Sequence, residues 1–237
     1  MPRRGSVAGI YGPSSGLGRK MFNLATGGNT VTTVTNYNST GEIWKVHTFT
    51  SSGTFTVLSA PQTFRWINIA GGGYGGGDRG GGGGGGGVLF SNSAILAVTS
   101  YSFTVGIAQN NSIAFGQTTI AGGTGGSYSS GAGASGGSGG GGGGPSGGGG
   151  AGTAGQGNNG NSAPGFNGGY GGSWGSSSNI TGTSVAYSTG GAAADWSGAN
   201  TTPTIFGYGG YGGRNNADQL GRTNGAPGAV IVAYQIG

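Results

Sequence analysis

Apolar residues follow a strand-like pattern at the two ends of this chain, and the pattern fades between them. Residues 30–37 are rich in Val and Thr, which favour a pleated, half-buried backbone. Residues 43–50 (IWKVHTFT) and 54–58 (TFTVL) flank Ser51, Ser52 and Gly53, and two β-rich runs around a short Gly-containing turn predict a hairpin. Residues 64–70 (FRWINIA) predict a strand that runs straight into three glycines. In residues 101–107 the apolar positions Tyr101, Phe103, Val105 and Ile107 alternate with polar or small ones, placing them on one face of a strand. Residues 112–120 and 183–188 are weaker strand candidates, and residues 229–236 (AVIVAYQI) close the chain as a buried strand. No segment carries a helical period.

Between these strands lies the bulk of the 66 glycines, with Ser, Asn, Thr and scattered aromatics. Residues 80–194 contain no Asp, Glu, Lys, Arg or His. No general base, carboxylate pair or metal cluster can be assembled from that stretch, so no enzyme, metal or cofactor is expected. What it offers is backbone amides, hydroxyls, carboxamides and rings.

Glycine loses more backbone entropy on folding than any other residue, so an ordered glycine block needs dense compensation. Extended threefold segments of the polyproline II type make no internal hydrogen bonds and can bond sideways to one another. Collagen is excluded, because there is no strict three-residue period and only seven prolines. The expected fold is all-β: a small β-sandwich base, glycine-rich polyglycine-II-like (PPII) segments packed as a bundle, and an extended N-terminal arm. Residues 1–29 read as the arm and 30–237 as one glycine-rich β domain.

The chain has nine Lys and Arg against four Asp and Glu, a net charge of +5. Arg3, Arg4, Arg19 and Lys20 sit in the arm without an acid beside them. Nucleic acid is a poor fit, because Arg79-Gly80-Gly81 is a lone Arg-Gly-Gly unit and the centre is neutral. There are no cysteines, no apolar run long enough for a membrane span, and no apolar signal region behind the basic N-terminus. These features are expected of a protein made in the cytoplasm, while the glycine-rich surface looks adhesive.

The pattern WKVHTFTSSGTFTV (residues 44–57), a strand entering AGGG (70–73), polyglycine, and GAVIVAY (228–234) resembles the glycine-rich domain of bacteriophage tail proteins, such as the minor tail proteins of actinobacterial phages. The opening RRGSVAGIYGP (3–13) is similar to their N-terminal arms. The resemblance implies a virion protein at the tail tip with a structural or host-attachment role, and a homo-oligomer, expected to be a trimer. It implies that Arg3, Arg4, Tyr11, Arg19 and Lys20 dock on other tail proteins. The composition alone also fits a silk-like or cell-wall glycine-rich structural protein.

Several residues carry two readings. His47, the one histidine, reads as structural. Asp78 and Arg79 form either a turn-tip ion pair or a contact point. Phe166, Asn167, Tyr170, Trp174, Trp196, Tyr208 and Tyr211 either pin glycine segments or present rings and carboxamides to a host cell-surface glycan or polymer.

Overall fold

The structure, a computed structural model, describes residues 24–59, 63–129, 131–165, 168–193, 204–213 and 222–237. Residues 1–23 of the N-terminal arm, with its five docking candidates Arg3, Arg4, Tyr11, Arg19 and Lys20, lie outside the described residues, as do Phe166, Asn167 and Trp196.

Among the described residues the chain is nearly all β. The strands are β1 (Ala25–Thr26), β2 (Thr30–Val34), β3 (Trp44–Phe49), β4 (Gly53–Val57), β5 (Thr63–Ile69), β6 (Val88–Ile95), β7 (Ser100–Phe103), β8 (Ser112–Ala114), β9 (Gln117–Thr119) and β10 (Ala229–Gln235). They form a five-stranded sheet in the order β2-β3-β10-β5-β6, a three-stranded sheet β1-β4-β7 and the hairpin β8-β9, all antiparallel. The pairing begins at Ala25, inside the stretch assigned to the arm. One turn of 3-10 helix occupies Tyr37–Ser39.

The two larger sheets enclose an aromatic core. Phe49, Phe64, Trp66, Val230, Val232 and Tyr234 from the five-stranded sheet meet Phe55, Val57 and Phe103 from the three-stranded one. Phe55 is central: it stacks on Phe103 at 6.1 Å and meets the edges of Phe49, Phe64 and Phe115 at 6.0–6.4 Å between centroids. Phe115 reaches this core from the two-residue turn of β8-β9, where Phe115 (φ 51) and Gly116 (φ 73) both take the left-handed conformation that a tight hairpin requires.

The expected hairpin of residues 43–58 is not formed. β3 pairs with β2 and β10, while β4 pairs with β1 and β7. The short link carries the chain from one sheet to the other. Phe49 and Phe55 thereby face each other across the core, which direct pairing of the two strands would not allow. Residues 101–107 also depart from expectation: β7 ends at Phe103, and Ile107 is 69% exposed.

The other face of the five-stranded sheet is covered too. Val46, Ile67, Ile69, Val88, Ile231 and Ala233 pack with Ile180 and Tyr187 from the glycine-rich half. Covering both faces explains why β10 is an unbroken apolar run. A polar latch closes this layer. Arg65 Nη1 donates to Tyr37 Oη (2.9 Å) and Nη2 to Asn179 Oδ1 (2.7 Å), while Tyr37 Oη donates to the Ile180 carbonyl (2.9 Å).

The glycine-rich segments continue from β5, β6 and β10 and bond to one another through their backbones. Residues 80–87 are all buried and lie at the centre. Their N–H groups turn through three neighbours in rotation. Gly80, Gly83 and Gly86 donate to Gly213, Gly210 and Gly207; Gly81, Gly84 and Gly87 donate to Gly126, Gly123 and Ile120; Gly82 and Gly85 donate to Gly169 and Gly172. Three other segments donate back: Gly73 and Gly76 to Gly84 and Gly81, Ser138 and Gly141 to Gly85 and Gly82, and Gly191 to Gly83. Close approach demands glycine here. A Cβ at Gly84 would overlap the Ser138 carbonyl oxygen, and one at Gly81 the Gly141 carbonyl.

Candidate functional site

The segments reverse direction at the end remote from the sheets, and these turns are tied together. Tyr128 N–H donates to the Asp78 carbonyl (3.0 Å), Gly144 N–H to Arg79 (3.2 Å) and Ala163 N–H to Gly147 (2.8 Å). Asp78 (φ 30) and Arg79 (φ 47) both hold a left-handed backbone, which is costly away from glycine and needs surrounding structure to enforce it. The Arg79 guanidinium lies 4.9 Å from the centre of the Tyr128 ring, a cation–π contact. The two charges next to the neutral stretch are therefore carried on a strained turn at its outer end.

The aromatic candidates are dispersed. Tyr170 is 59% exposed, yet its backbone is bonded: its carbonyl accepts from Asn161 N–H at 2.9 Å. The ring projects from a fixed segment. Trp174 instead packs against the second core and meets Phe90 of β6 edge-on at 5.8 Å, so it joins the glycine-rich half to the sheet. Tyr208 and Tyr211 are brought together, with ring centroids 6.4 Å apart, on the segment that donates back to Gly73 and Gly76. Burial raises the Tyr208 hydroxyl pKa, with Tyr211 adding to the effect.

The asparagines near these rings serve the backbone. Asn158 Nδ2 donates to the Ser173 carbonyl (2.9 Å), and Asn159 Oδ1 accepts from Gly152 N–H (2.8 Å). Each supplies a partner to a neighbouring backbone group.

His47 is 1% exposed and lies on β3, between β2 and β10. Nδ1 is 2.7 Å from the Gly27 carbonyl, which only accepts, so Nδ1 carries the proton; Nε2 lies 3.3 Å from Tyr234 Oη. Burial lowers the His47 pKa; the Gly27 carbonyl opposes this and Lys45 adds to it. The ring is a neutral structural bridge. Among the described residues, no three His, Cys, Asp or Glu side chains come together, and no helix is long and apolar enough to cross a membrane.

A feature not anticipated from the sequence is a groove of about 560 Å³ in the loop after β7, lined by Thr104, Val105, Ile107, Gln109, Asn110 and Asn111. Its available signal was the run of three carboxamides, Gln109-Asn110-Asn111, beside an apolar residue with no core to enter. The chain matches no protein-family model, and no curated protein matches it.

Proposed function

We propose that this chain is a structural protein of a bacteriophage tail, a minor tail protein at the tail tip that contributes to host-surface attachment. The glycine-rich segments act as polyglycine-II-like rods packed into a bundle. The observation that carries this reading is the three-residue rotation of N–H donors around residues 80–87, which matches a helix of three residues per turn with lateral bonds. A bundle with sheets at one end and interlocked turns at the other is a stiff display device with few charges. The sandwich serves as the base. The turns bearing Asp78, Arg79 and Tyr128, and the projecting Tyr170 ring, face the host. The basic arm, with Arg3, Arg4, Arg19 and Lys20, docks on acidic faces of neighbouring tail proteins, and the mature assembly is a trimer.

The test is to label purified particles with a gold-conjugated antibody to this chain. Label at the distal tip, with adsorption to host cells blocked, is the expected result. Particles that lack the chain contradict the reading. A Tyr170→Ala variant that still assembles should adsorb more weakly, by about 1–3 kcal/mol if the ring stacks on its receptor as rings stack on bases. Its adsorption should also change little with salt, because the ring carries no charge.

A further inference from the structure

We propose that the groove in residues 104–111 binds a neutral saccharide. As a binding site it stands on its own geometry.

The loop is preformed. Val105 N–H donates to Ser52 Oγ (3.1 Å), Gly106 N–H to Ser112 Oγ (2.9 Å) and Asn110 N–H to the Ile107 carbonyl (3.0 Å). Gln109 holds a left-handed backbone (φ 61) and donates its N–H to Gly72 (2.9 Å), while Asn110 accepts from Gly71 N–H (3.0 Å). One transverse series of bonds continues this anchorage: Gly72 N–H donates to Ala226, and Ala226 N–H to Tyr208. The loop is thus pinned to the glycine segments, and a ligand binding there meets little ordering cost.

The side chains leave a defined set of open positions. Asn111 Oδ1 is taken by Ala121 N–H (2.8 Å), Asn110 Nδ2 by the Ala108 carbonyl (3.2 Å) and Gln109 Nε2 by Thr124 Oγ1. Asn111 Nδ2 and the second N–H of Asn110 Nδ2 and of Gln109 Nε2 remain as donors, and Gln109 Oε1 and Asn110 Oδ1 remain as acceptors, without a partner among the described residues. Beside them Ile107 is 69% exposed. No lining residue is charged.

These groups select the ligand class. An ion would surrender hydration without a counter-charge. A purely apolar molecule would cover carboxamides and leave them unpaired. A sugar ring has hydroxyls that both donate and accept, and a C–H face that suits Ile107. The groove volume lies within the usual range of about 300–1,000 Å³ for small-ligand sites.

The experiment is a titration of the purified, isotope-labelled chain with glucose, galactose, mannose and arabinose, followed by amide resonances, with glucuronate as the charged control. At least one neutral sugar should shift the amides of residues 104–111 and of Gly71 and Gly72 saturably, and glucuronate should not. Asn110→Ala with Asn111→Ala, or Ile107→Ser alone, should weaken that binding about tenfold or more, a loss of about 1.4 kcal/mol. Unchanged β10 resonances would show that the variants fold. The proposal is overturned if none of the four sugars moves this loop, if the shifts fall elsewhere, or if glucuronate binds equally well. Particle labelling decides the tail reading separately, since sugar binding to the purified chain does not depend on it.

Discussion

The sandwich and the glycine-rich half of this molecule are held together by opposite means. In the sandwich, rings fill the space between two sheets, and Phe55 touches four other aromatic rings besides His47. In the glycine-rich half there is almost no side chain to bury. Backbones approach until each N–H meets a neighbouring carbonyl, as around residues 80–87. The first region depends on volume being present and the second on volume being absent. Substitutions in opposite directions should therefore break them.

The largest effect is expected where volume is removed from the aromatic core. Phe55→Ala should cost about 3–5 kcal/mol, read as a lowered urea midpoint of the sandwich. The reverse change should hurt the other half. Gly84→Ala forces a Cβ into the Ser138 carbonyl, where backbone rather than a movable side chain must yield. The loss should reach or exceed the upper end of about 1–3 kcal/mol, the usual overpacking cost, in the same denaturation measurement. A Gly84→Ala protein as stable as the wild type would remove the contrast between the halves.

A smaller effect concerns pH. His47 is neutral when folded, and its pKa is held below the ordinary 6.5, mainly by burial. In the window below that value the unfolded chain takes up a proton that the folded chain refuses. Stability is then full above about pH 6.5 and falls as pH drops from there toward the lowered folded value. Denaturation midpoints measured across this range should decline on acidification, and His47→Gln should flatten that part of the curve. The smallest effect is a control. A Cβ at Gly148 meets nothing within 4 Å, so Gly148→Ala should leave stability unchanged or raise it by about 0.4–1 kcal/mol.

The sandwich was largely legible in the sequence, because β3, β5 and β10 announce themselves by β-branched and aromatic runs. β6 was not recognised. Ser91, Asn92 and Ser93 interrupt its apolar pattern, and as an edge strand it keeps Phe90 and Ile95 exposed. The link at residues 50–52 fits a hairpin turn equally well, and only the facing of Phe49 and Phe55 decides for a crossing between sheets. In the glycine-rich half, composition conveyed lateral backbone bonding but not which segment neighbours which. Glycine runs are interchangeable with themselves, so register is carried by sparse side chains such as Ser188, whose hydroxyl donates to the Gly86 carbonyl, and Gln156, whose Oε1 accepts from Ile120 N–H. Trp174 looked like part of a receptor surface, yet its visible contacts are with the sheet, and the neighbouring Asn158 and Asn159 bond to backbone. The groove escaped notice because residues 101–107 read as one alternating strand, whereas β7 ends at Phe103 and leaves Ile107 outside the core.

Amide hydrogen exchange at residues 80–87 tests the central claim most directly. If these glycines are bonded on all sides as the hydrogen-bond pattern requires, their amides should exchange as slowly as those of Val230, Ile231 and Val232 in β10, opening only with global unfolding. Exchange of residues 80–87 at the rate of an unprotected glycine chain, while β10 stays protected, would contradict the account.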